Sequence, residues 1–271
     1  MVVFNRTSAS NYDISIPMAR TALDPIVSEI GYLADVVERD DSGMSSTSER
    51  IKRIFDVTFA GASLLFLTPV ILVVALLIKV ESSGAVFFQQ ERIGQNKRRN
   101  DRRHSVSDGF DGPDRRRDND RRKKIHSGKP FNMFKLRTMR EDAEKEGPAL
   151  SRKNDSRITR IGRLLRRTRI DEIPQFINVI KGEMSIVGPR PERSFFINQV
   201  RQEVPEFPLR LKVKPGITGL AQIEDGYTDS VEKMKGKLYY DLKYISQLSL
   251  IQEIGILFKT VYIVISGKGA C

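Results

Sequence analysis

The chain has 271 residues, enough for one large domain or two small ones. Its 46 lysines and arginines exceed the 34 acidic residues, and the net charge of +12 is typical of proteins that bind nucleic acids, acidic lipids or phosphorylated substrates. The single cysteine, Cys271, excludes an intramolecular disulfide, and the two histidines, His104 and His126, share one low-complexity stretch, which argues against a histidine triad or a zinc site.

Residues 1–49 read as a polar N-terminal extension. Within it, residues 26–37 carry apolar side chains at helical spacing, which predicts a short amphipathic helix. Residues 39–50 are rich in serine and aspartate and predict a linker. A domain boundary is therefore expected at about residue 49.

The next segment, 50–80, is expected to enter a membrane. Its residues 57–78 form a run of 22 uncharged side chains, and about 20 apolar residues are enough to cross a bilayer core as a helix. Basic residues stand on both sides of the run, including Arg53 before it and Lys79 after it. Since basic flanks tend to stay cytoplasmic, a simple span would leave one of them on the wrong face.

Thr68 and Pro69 lie in the middle of this run. Proline removes a backbone donor and bends or breaks a helix. A helix that enters the membrane, breaks at Thr68-Pro69 and returns to the same face satisfies both the charge pattern and the proline. An ordinary kinked span is the alternative, because proline is also common in spanning helices.

Residues 81–271 predict a compact, helix-rich α/β domain that follows the membrane helix. Segments that alternate or are rich in β-forming residues predict strands, and apolar residues at helical spacing predict helices. The breaker residues Pro215 and Gly216 predict a turn. The expected strands are 85–89 and 131–136, and the expected helices are 157–167, 172–180, 195–200, 231–248 and 250–265. The last of these is apolar yet charged at two positions, which favours a helix lying on the membrane or packed in a core over a second span.

A strongly basic insertion interrupts this domain at residues 97–127. Its residues 97–124 hold twelve basic and six acidic side chains and almost no apolar ones. Such a composition cannot bury enough surface to fold alone, so the insertion is expected to be a disordered cytoplasmic loop. Contact with acidic lipid headgroups is favoured over nucleic-acid binding, because interleaved aromatic residues for base stacking are missing.

Asp171 and Glu172 are neighbours in the motif RTRIDEIPQ, and Pro174 suits the first turn of a helix. Asp171 is then expected near the N-terminus of that helix, where the helix dipole keeps a carboxylate ionised, as a nucleophile requires. The spacing is equally that of an ordinary capping aspartate followed by a solvated glutamate.

Several arginines and Lys135 surround the acidic pair in the sequence, and arginine binds phosphate oxygens in a bidentate manner. Further on, Pro189 and Pro191 bracket Arg190 and restrict the backbone around it. A rigidly held arginine suits the binding of a diphosphate, although a structural turn and a basic, membrane-facing surface explain these residues as well.

Three ordered motifs resemble the bacterial sugar transferases, the monotopic polyprenyl-phosphate phosphoglycosyl transferases that begin exopolysaccharide, capsule and O-antigen synthesis. The motifs are FKLRTM at 134–139, RTRIDEIPQFINVIKGEMSIVGPRPE at 167–192 and KPGITGLAQI at 214–223. The resemblance covers residues 52–266, interrupted by the basic insertion, and includes a re-entrant helix broken at a Ser-Pro pair, which is Thr68-Pro69 here.

The resemblance implies a catalytic pair, Asp171 and Glu172. Asp171 resembles a nucleophile that attacks the sugar-bearing phosphate of a UDP-sugar and releases UMP. Undecaprenyl phosphate then takes the sugar phosphate from the aspartate. Glu172 is implied to help hold Mg2+, which prefers one or two carboxylates together with phosphate oxygens.

The resemblance also implies substrate-binding residues around the pair: Lys135, Arg137, Arg166, Arg190 and Pro191. Tyr240, Asp241 and Tyr244 resemble a late motif that packs beside the active site. The implied partners are a UDP-sugar, undecaprenyl phosphate and acidic membrane lipids, and a homodimer is compatible with the family; no nucleic acid is expected. The implied location is the bacterial inner membrane, with the catalytic domain on its cytoplasmic face.

Two other classes of protein remain as alternatives. A membrane-anchored nucleic-acid-binding regulator would use residues 97–124, but the ordered motifs lie elsewhere. A polytopic transferase that releases UMP without a covalent intermediate needs many spanning helices, whereas this chain has one strong apolar segment. Neither the sugar nor the polysaccharide pathway can be read from these motifs.

Overall fold

A computed structural model describes residues 20–39, 44–96, 128–145, 147, 155–226 and 231–266. In chain order the helices are α1 (Arg20–Arg39), α2 (Ser46–Glu81), α3 (Arg160–Thr168), α4 (Gln175–Lys181), α5 (Ser194–Glu203), α6 (Leu220–Glu224), α7 (Val231–Ser246) and α8 (Leu250–Ser266). Two 3-10 segments, Ile170–Glu172 and Phe207–Lys212, add to them. The strands are β1 (Phe87–Ile93), β2 (Pro130–Leu136), β3 (Ser185–Val187) and β4 (Gly216–Thr218).

The predicted helix-rich α/β domain is confirmed in outline. β1 pairs antiparallel with β2, and Phe88 lies opposite Lys135. β3 and β4 form a separate parallel pair, which the sequence did not predict because each strand has only three residues. The prediction of a turn at Pro215-Gly216 is wrong in part, since Gly216 begins β4. The insertion at 97–127 lies outside the described residues.

α2 runs as one helix of 36 residues from Ser46 to Glu81, and its interior contains Pro69. Ser45 caps its start by accepting a hydrogen bond from the Ser48 amide at 3.2 Å. Leu65 and Phe66, beside the proline, are 74 % and 78 % exposed. Within the described part of the chain, α2 is the one helix long and apolar enough to cross a membrane.

α1 is an integral part of the folded body, although the sequence placed it in a separate extension. Its predicted helical character is confirmed, and its buried face holds Ile30, Ala34 and Val37. These side chains share one hydrophobic cluster with residues of α5, α7 and the segment Phe207–Lys212. The Lys212 ammonium also donates to the Glu38 carbonyl at 3.4 Å, so a basic side chain stabilises the end of the helix.

A second hydrophobic cluster lies around β3 and joins residues of α2, β2, α4, α7 and α8. The β3–β4 pair depends on two glycines, Gly188 and Gly216, whose backbones meet at very short range. A Cβ on Gly188 would lie 2.4 Å from the Lys214 carbonyl oxygen, so no larger residue fits without moving the backbone. This close approach fixes where the chain leaves β3 toward Arg190.

Candidate active site

The acidic pair lies in a tight turn between two helices. α3 ends at Thr168, and the next residue, Arg169, adopts a left-handed conformation with φ of 57°. It is the single non-glycine residue with positive φ among the described residues. Its amide donates to the Arg166 carbonyl at 3.2 Å, and the 3-10 turn Ile170–Glu172 follows at once. An αL conformation costs a non-glycine residue about 1 kcal/mol or more and is held by its surroundings. This turn reverses the chain so that both carboxyl groups face the domain interior.

Asp171 is 7 % exposed. Burial, and then the charge of Glu172, raise its pKa to about 6, while Lys135, Arg166 and Arg190 act in the opposite direction. The expected helix-terminus effect is wrong as a cause, because α4 begins only at Gln175 and Pro174 precedes it. The Asp171 carboxyl is nevertheless mostly ionised at pH 7, by about tenfold.

Glu172 is held between two cations. Its Oε1 accepts a hydrogen bond from the Arg190 guanidinium at 2.6 Å and another from the Lys135 ammonium at 3.2 Å. Burial alone would raise the pKa of Glu172, but Arg190 and Lys135 outweigh it and hold that pKa well below its usual range. Burial also lowers the pKa of Lys135, against the charge of Glu172. Glu172 is therefore a permanent anion that fixes two cations beside Asp171.

The loop that carries Arg190 is supported from behind by a buried pair of residues, Arg210 and Asp241. The Arg210 guanidinium donates to the Arg190 carbonyl oxygen at 3.0 Å and forms an ion pair with Asp241 at 2.8 Å. Arg92 donates to the next carbonyl oxygen, that of Pro191, at 3.1 Å. Two guanidinium groups thereby hold consecutive carbonyl groups of the backbone at Arg190 and Pro191.

Two predicted binding residues make structural contacts. The Arg137 guanidinium donates to Ser83 O and, at 2.9 Å, to Ser82 O, so it anchors the chain that leaves α2. Arg166 donates from Nε to the Thr138 hydroxyl at 2.9 Å, while its charge also acts on Asp171. The structure thus brings Lys135, Arg166 and Arg190 around the acidic pair, whereas Arg137 binds the end of α2.

The predicted helix break at Thr68-Pro69 is not seen as an interruption, because α2 continues through both residues. The Thr68 hydroxyl donates to the Leu64 carbonyl oxygen at 2.6 Å. Such back-bonding is known to bend helices, and proline removes the next backbone bond. The break therefore stays a prediction.

Asp171 and Glu172 can supply only some of the ligands that a metal ion needs. Across the described ranges, no group of three or more histidine, cysteine or acidic side chains forms a ready metal site. Mg2+ can instead be held by one or two carboxylates together with substrate phosphates. Asp171 and Glu172 fit that donor set, and one oxygen of Glu172, Oε1, contacts both Lys135 and Arg190.

Sequence reasoning missed the supporting residues of this site. Arg92 was interpreted only as part of the basic flank after the apolar run, and Arg210 was not singled out. Their role appears when β1 and the segment Phe207–Lys212 pack against the Arg190 loop. Asp241 was noted only for its resemblance to a late motif. The two prolines around Arg190 were the one signal in the sequence for a rigidly held loop.

The family comparison agrees with this geometry. The model of the bacterial sugar transferase family matches residues 47–101 and 120–267, and the gap between these two ranges falls inside the basic insertion. The chain therefore belongs to the bacterial sugar transferase family.

Curated relatives carry names that describe sugar phosphate transfer to undecaprenyl phosphate. The UDP-glucose:undecaprenyl-phosphate glucose-1-phosphate transferase of Escherichia coli (strain K12) is 38 % identical over 84 % of this chain and 43 % of its own length. An N-acetylgalactosaminephosphotransferase of Aeromonas hydrophila, which uses UDP-N-acetylgalactosamine and undecaprenyl phosphate by name, is 35 % identical over 81 % of this chain and 45 % of its own length. This chain thus spans less than half the length of these two relatives.

A third relative is close to this chain in size. The exopolysaccharide production protein PSS of Rhizobium leguminosarum bv. phaseoli is 37 % identical over 81 % of this chain and 98 % of its own length. The region shared with this chain therefore makes up nearly the whole of one relative.

Proposed function

We propose that this protein transfers a sugar 1-phosphate from a UDP-sugar to undecaprenyl phosphate through a covalent bond to Asp171, releasing UMP. The observation that carries the proposal is a buried but mostly ionised Asp171 beside Glu172, which holds Lys135 and Arg190 at 3.2 and 2.6 Å. The names of the relatives support the same donor and acceptor classes. The reaction would be the first membrane step in the synthesis of an exopolysaccharide, capsule or O-antigen.

In the first step, a carboxylate oxygen of Asp171 attacks the sugar-bearing phosphorus of the UDP-sugar. The bond from that phosphorus to the bridging oxygen breaks, and UMP leaves with the electron pair. Asp171 then carries the sugar phosphate as an acyl phosphate. A covalent intermediate divides one difficult transfer into two easier ones, and it lets a soluble donor and a lipid acceptor use one site in turn.

In the second step, a phosphate oxygen of undecaprenyl phosphate attacks the same phosphorus. The bond to Asp171 breaks, the carboxylate is restored and undecaprenyl-diphospho-sugar leaves. The first step needs an ionised Asp171, and the raised pKa of about 6 makes that carboxylate more basic than an exposed aspartate while it stays mostly charged at pH 7.

The cations around the pair have the geometry to bind the diphosphate. Arg190 and Lys135 converge on one carboxylate oxygen, so their remaining donors are held close to Asp171. Positioned cations stabilise the charge that develops on a leaving phosphate. Mg2+, held by Glu172 and phosphate oxygens, would supply further charge neutralisation as UMP departs. Arg166 adds a positive charge near Asp171.

We place the protein in the bacterial inner membrane, with the folded body on the cytoplasmic face and α2 as a re-entrant helix. Both ends of α2 contact this one body: Arg53 donates to the Val179 carbonyl oxygen at 2.6 Å, and Glu81 accepts from the Arg160 amide at 2.7 Å. The ends of a simple span lie on opposite faces of a bilayer. Contacts of both ends with α3 and α4 therefore support return to the same face.

α8 supports a position at the membrane surface. Glu253 and Ile256 face the core, while the opposite face is exposed and apolar. Its exposed large side chains are Ile251, Ile254, Phe258, Val261, Tyr262, Val264 and Ile265. A helix with one buried face and one exposed apolar face suits the boundary between headgroups and acyl chains. At this depth the active site would meet the phosphate of the lipid acceptor.

A UMP-release assay tests the proposed reaction. Purified protein would be incubated with Mg2+, undecaprenyl phosphate and each of a panel of UDP-sugars, beside Asp171→Ala. Release of UMP with one sugar, and none from the variant, is expected. UMP release that persists in well-folded Asp171→Ala protein would contradict the mechanism.

Accessibility of the two ends of α2 tests re-entry. In a Cys271→Ser background, single cysteines would replace Ser46 or Ser83, which are both exposed. A membrane-impermeant thiol reagent applied to inside-out vesicles is expected to label both positions. Labelling of only one position, with the other reached only after the vesicles are opened, would indicate an ordinary span.

A further inference from the structure

We propose that Asp56, in the membrane helix α2, is a positioning residue for Arg190 and acts through strand β3. The inference rests on the proposed function, in which Arg190 binds the donor diphosphate. Asp56 is 2 % exposed and lies far from the acidic pair in sequence. It is one of the few acidic residues that this membrane helix contains, and an apolar helix has no intrinsic need for a buried carboxylate.

The Asp56 carboxylate binds two consecutive residues of β3. Oδ2 accepts from the Ser185 hydroxyl at 2.8 Å, and Oδ1 accepts from the Ile186 amide at 3.1 Å. Hydrogen bonds to a charged acceptor are stronger than neutral ones, and burial increases their strength. Both oxygens of one side chain therefore fix the position of β3 relative to α2.

The C-terminal end of β3 is contacted by Tyr244, which also bonds to Glu253. The Tyr244 hydroxyl lies 3.3 Å from the Val187 carbonyl oxygen and 2.9 Å from Glu253 Oε1. Lys52, one turn before Asp56 in α2, forms an ion pair with Glu253 at 2.5 Å and lies 4.0 Å from Asp56. A buried charge network thus links α2, α7 and α8 around a strand of three residues.

A short and stiff segment connects β3 to Arg190. Only Gly188 and Pro189 separate Val187 from the arginine. The Gly188 amide donates to the Thr218 carbonyl oxygen at 2.9 Å, and the Gly216 amide donates to the Pro189 carbonyl oxygen at 2.9 Å. A displacement of β3 would therefore move Arg190. Even a small movement would disturb its hydrogen bond to Glu172, which is 2.6 Å long.

Asp56 also gives the membrane anchor a direct connection to the chemistry. The same helix that sets the depth of the protein in the bilayer sets the position of the diphosphate-binding arginine. Positioning within about 1 Å matters for catalysis, because a small displacement of a binding group can cost about 100-fold in rate.

The test compares three full-length variants in detergent or nanodiscs: Asp56→Ala, Asp56→Asn and a matched control, Thr58→Val. Thr58 is an exposed residue of the same helix, and its hydroxyl bonds only to carbonyls within α2. Asp56→Ala is expected to lose about 30-fold or more in kcat/KM for the UDP-sugar. Asp56→Asn keeps one acceptor oxygen and is expected to recover part of the loss, whereas Thr58→Val behaves as wild type.

A double-mutant cycle with Arg190→Ala separates positioning from general destabilisation. If Asp56 acts through Arg190, the double variant is expected to be no less active than Arg190→Ala alone. Losses that multiply would overturn the proposal, and so would an Asp56→Ala enzyme with wild-type kcat and KM.

Hydrogen exchange gives a readout that does not need turnover. In Asp56→Ala the peptide that covers residues 185–190 is expected to exchange at least tenfold faster than in Thr58→Val, while peptides of α5 stay unchanged. Unchanged exchange in 185–190 would overturn the proposal. An inactive wild-type protein would instead contradict the proposed function, and the exchange result would still decide the role of Asp56 in holding β3.

Discussion

The acidic turn Ile170–Glu172 and the pair Arg210–Asp241 are two buried charge centres that both contact Arg190, the first at its side chain and the second at its carbonyl oxygen. In the turn, two cations meet Glu172 and hold its pKa well below the usual range. In the pair, burial raises the pKa of Asp241 to about 6, because the charges of Arg210 and Lys237 only partly offset it and Glu192 adds to it. The balance between burial and the charges of the neighbouring cations therefore decides in which direction the pKa of each carboxyl group moves. The turn keeps positive charge available to a substrate, whereas the pair behind it supports the loop.

The largest effect is expected at Asp171. With a UDP-sugar but no lipid acceptor, the wild-type protein should release about one equivalent of UMP and gain the mass of one sugar phosphate on the peptide that contains Asp171. Asp171→Asn keeps the shape without the nucleophile, so turnover should fall by about 1,000-fold or more, with no burst and no mass gain. Rapid-quench kinetics measure the burst of UMP, and mass spectrometry measures the mass gain. Asp142→Asn, at an exposed position, serves as the control. A mass gain on another peptide would assign the nucleophile elsewhere.

Removal of Arg190 should have the next largest effect. Arg190→Ala leaves Glu172 with Lys135 alone and removes a diphosphate ligand, so kcat/KM should fall on the order of 100-fold. Arg190→Lys should restore only a small part, because an ammonium lacks the planar fork of donors. Steady-state kinetics measure kcat/KM. The control variant Arg39→Ala, at an exposed arginine of α1, should have the kcat/KM of the wild type. Full activity of Arg190→Lys would indicate that charge alone suffices.

The buried pair should appear in the pH dependence of stability. The pKa of Asp241 rises from the ordinary value of 3.8 to about 6 in the fold, so folding favours its protonated form. The contribution of Asp241 to the free energy of unfolding is fully present below about pH 4 and is lost as the pH rises through 6. The loss is on the order of 2–3 kcal/mol. Urea unfolding at pH 4 and 6 should therefore show a smaller pH dependence for Asp241→Asn. The pKa of Glu253 is also raised, mainly by burial, so Glu253 lowers the stability with rising pH as Asp241 does. Part of the pH dependence should therefore remain in Asp241→Asn. An unchanged pH dependence in Asp241→Asn would show that Arg210 keeps Asp241 ionised.

The smallest effect on activity is expected from a probe on α8, well away from both charge centres. The chain contains no tryptophan, so Phe258→Trp introduces a single fluorophore at a side chain that is 73 % exposed. Brominated lipids should quench it strongly if that face meets the bilayer, with activity within about twofold of wild type. Tyr32→Trp on α1, where Tyr32 is 69 % exposed, should stay unquenched. Equal quenching at the two positions would contradict the proposed orientation.

The sequence predicted local features of the site better than its supports. Asp171 and Glu172 are adjacent in the chain, and the prolines around Arg190 indicate rigidity, so residue type and spacing were enough to find them. β3 and β4 were missed because three buried residues carry no periodic signal. Arg210, Asp241 and Asp56 meet the site only through tertiary contacts between residues distant in sequence, which no local pattern encodes. The pKa of Asp171 was assigned to a helix terminus, whereas burial and its neighbour Glu172 set it.

β1 and β2 have a further consequence for protein engineering. Ile93 lies opposite Pro130, and the Gly94 amide donates to the Lys129 carbonyl oxygen at 2.8 Å, so the two points where the insertion joins the fold are held side by side. The closure cost of a flexible loop grows by only about 0.6 kcal/mol for each doubling of its length. Connections of very different lengths, or a fluorescent reporter domain, can therefore be grafted between these two anchor points at little cost to the strand pair.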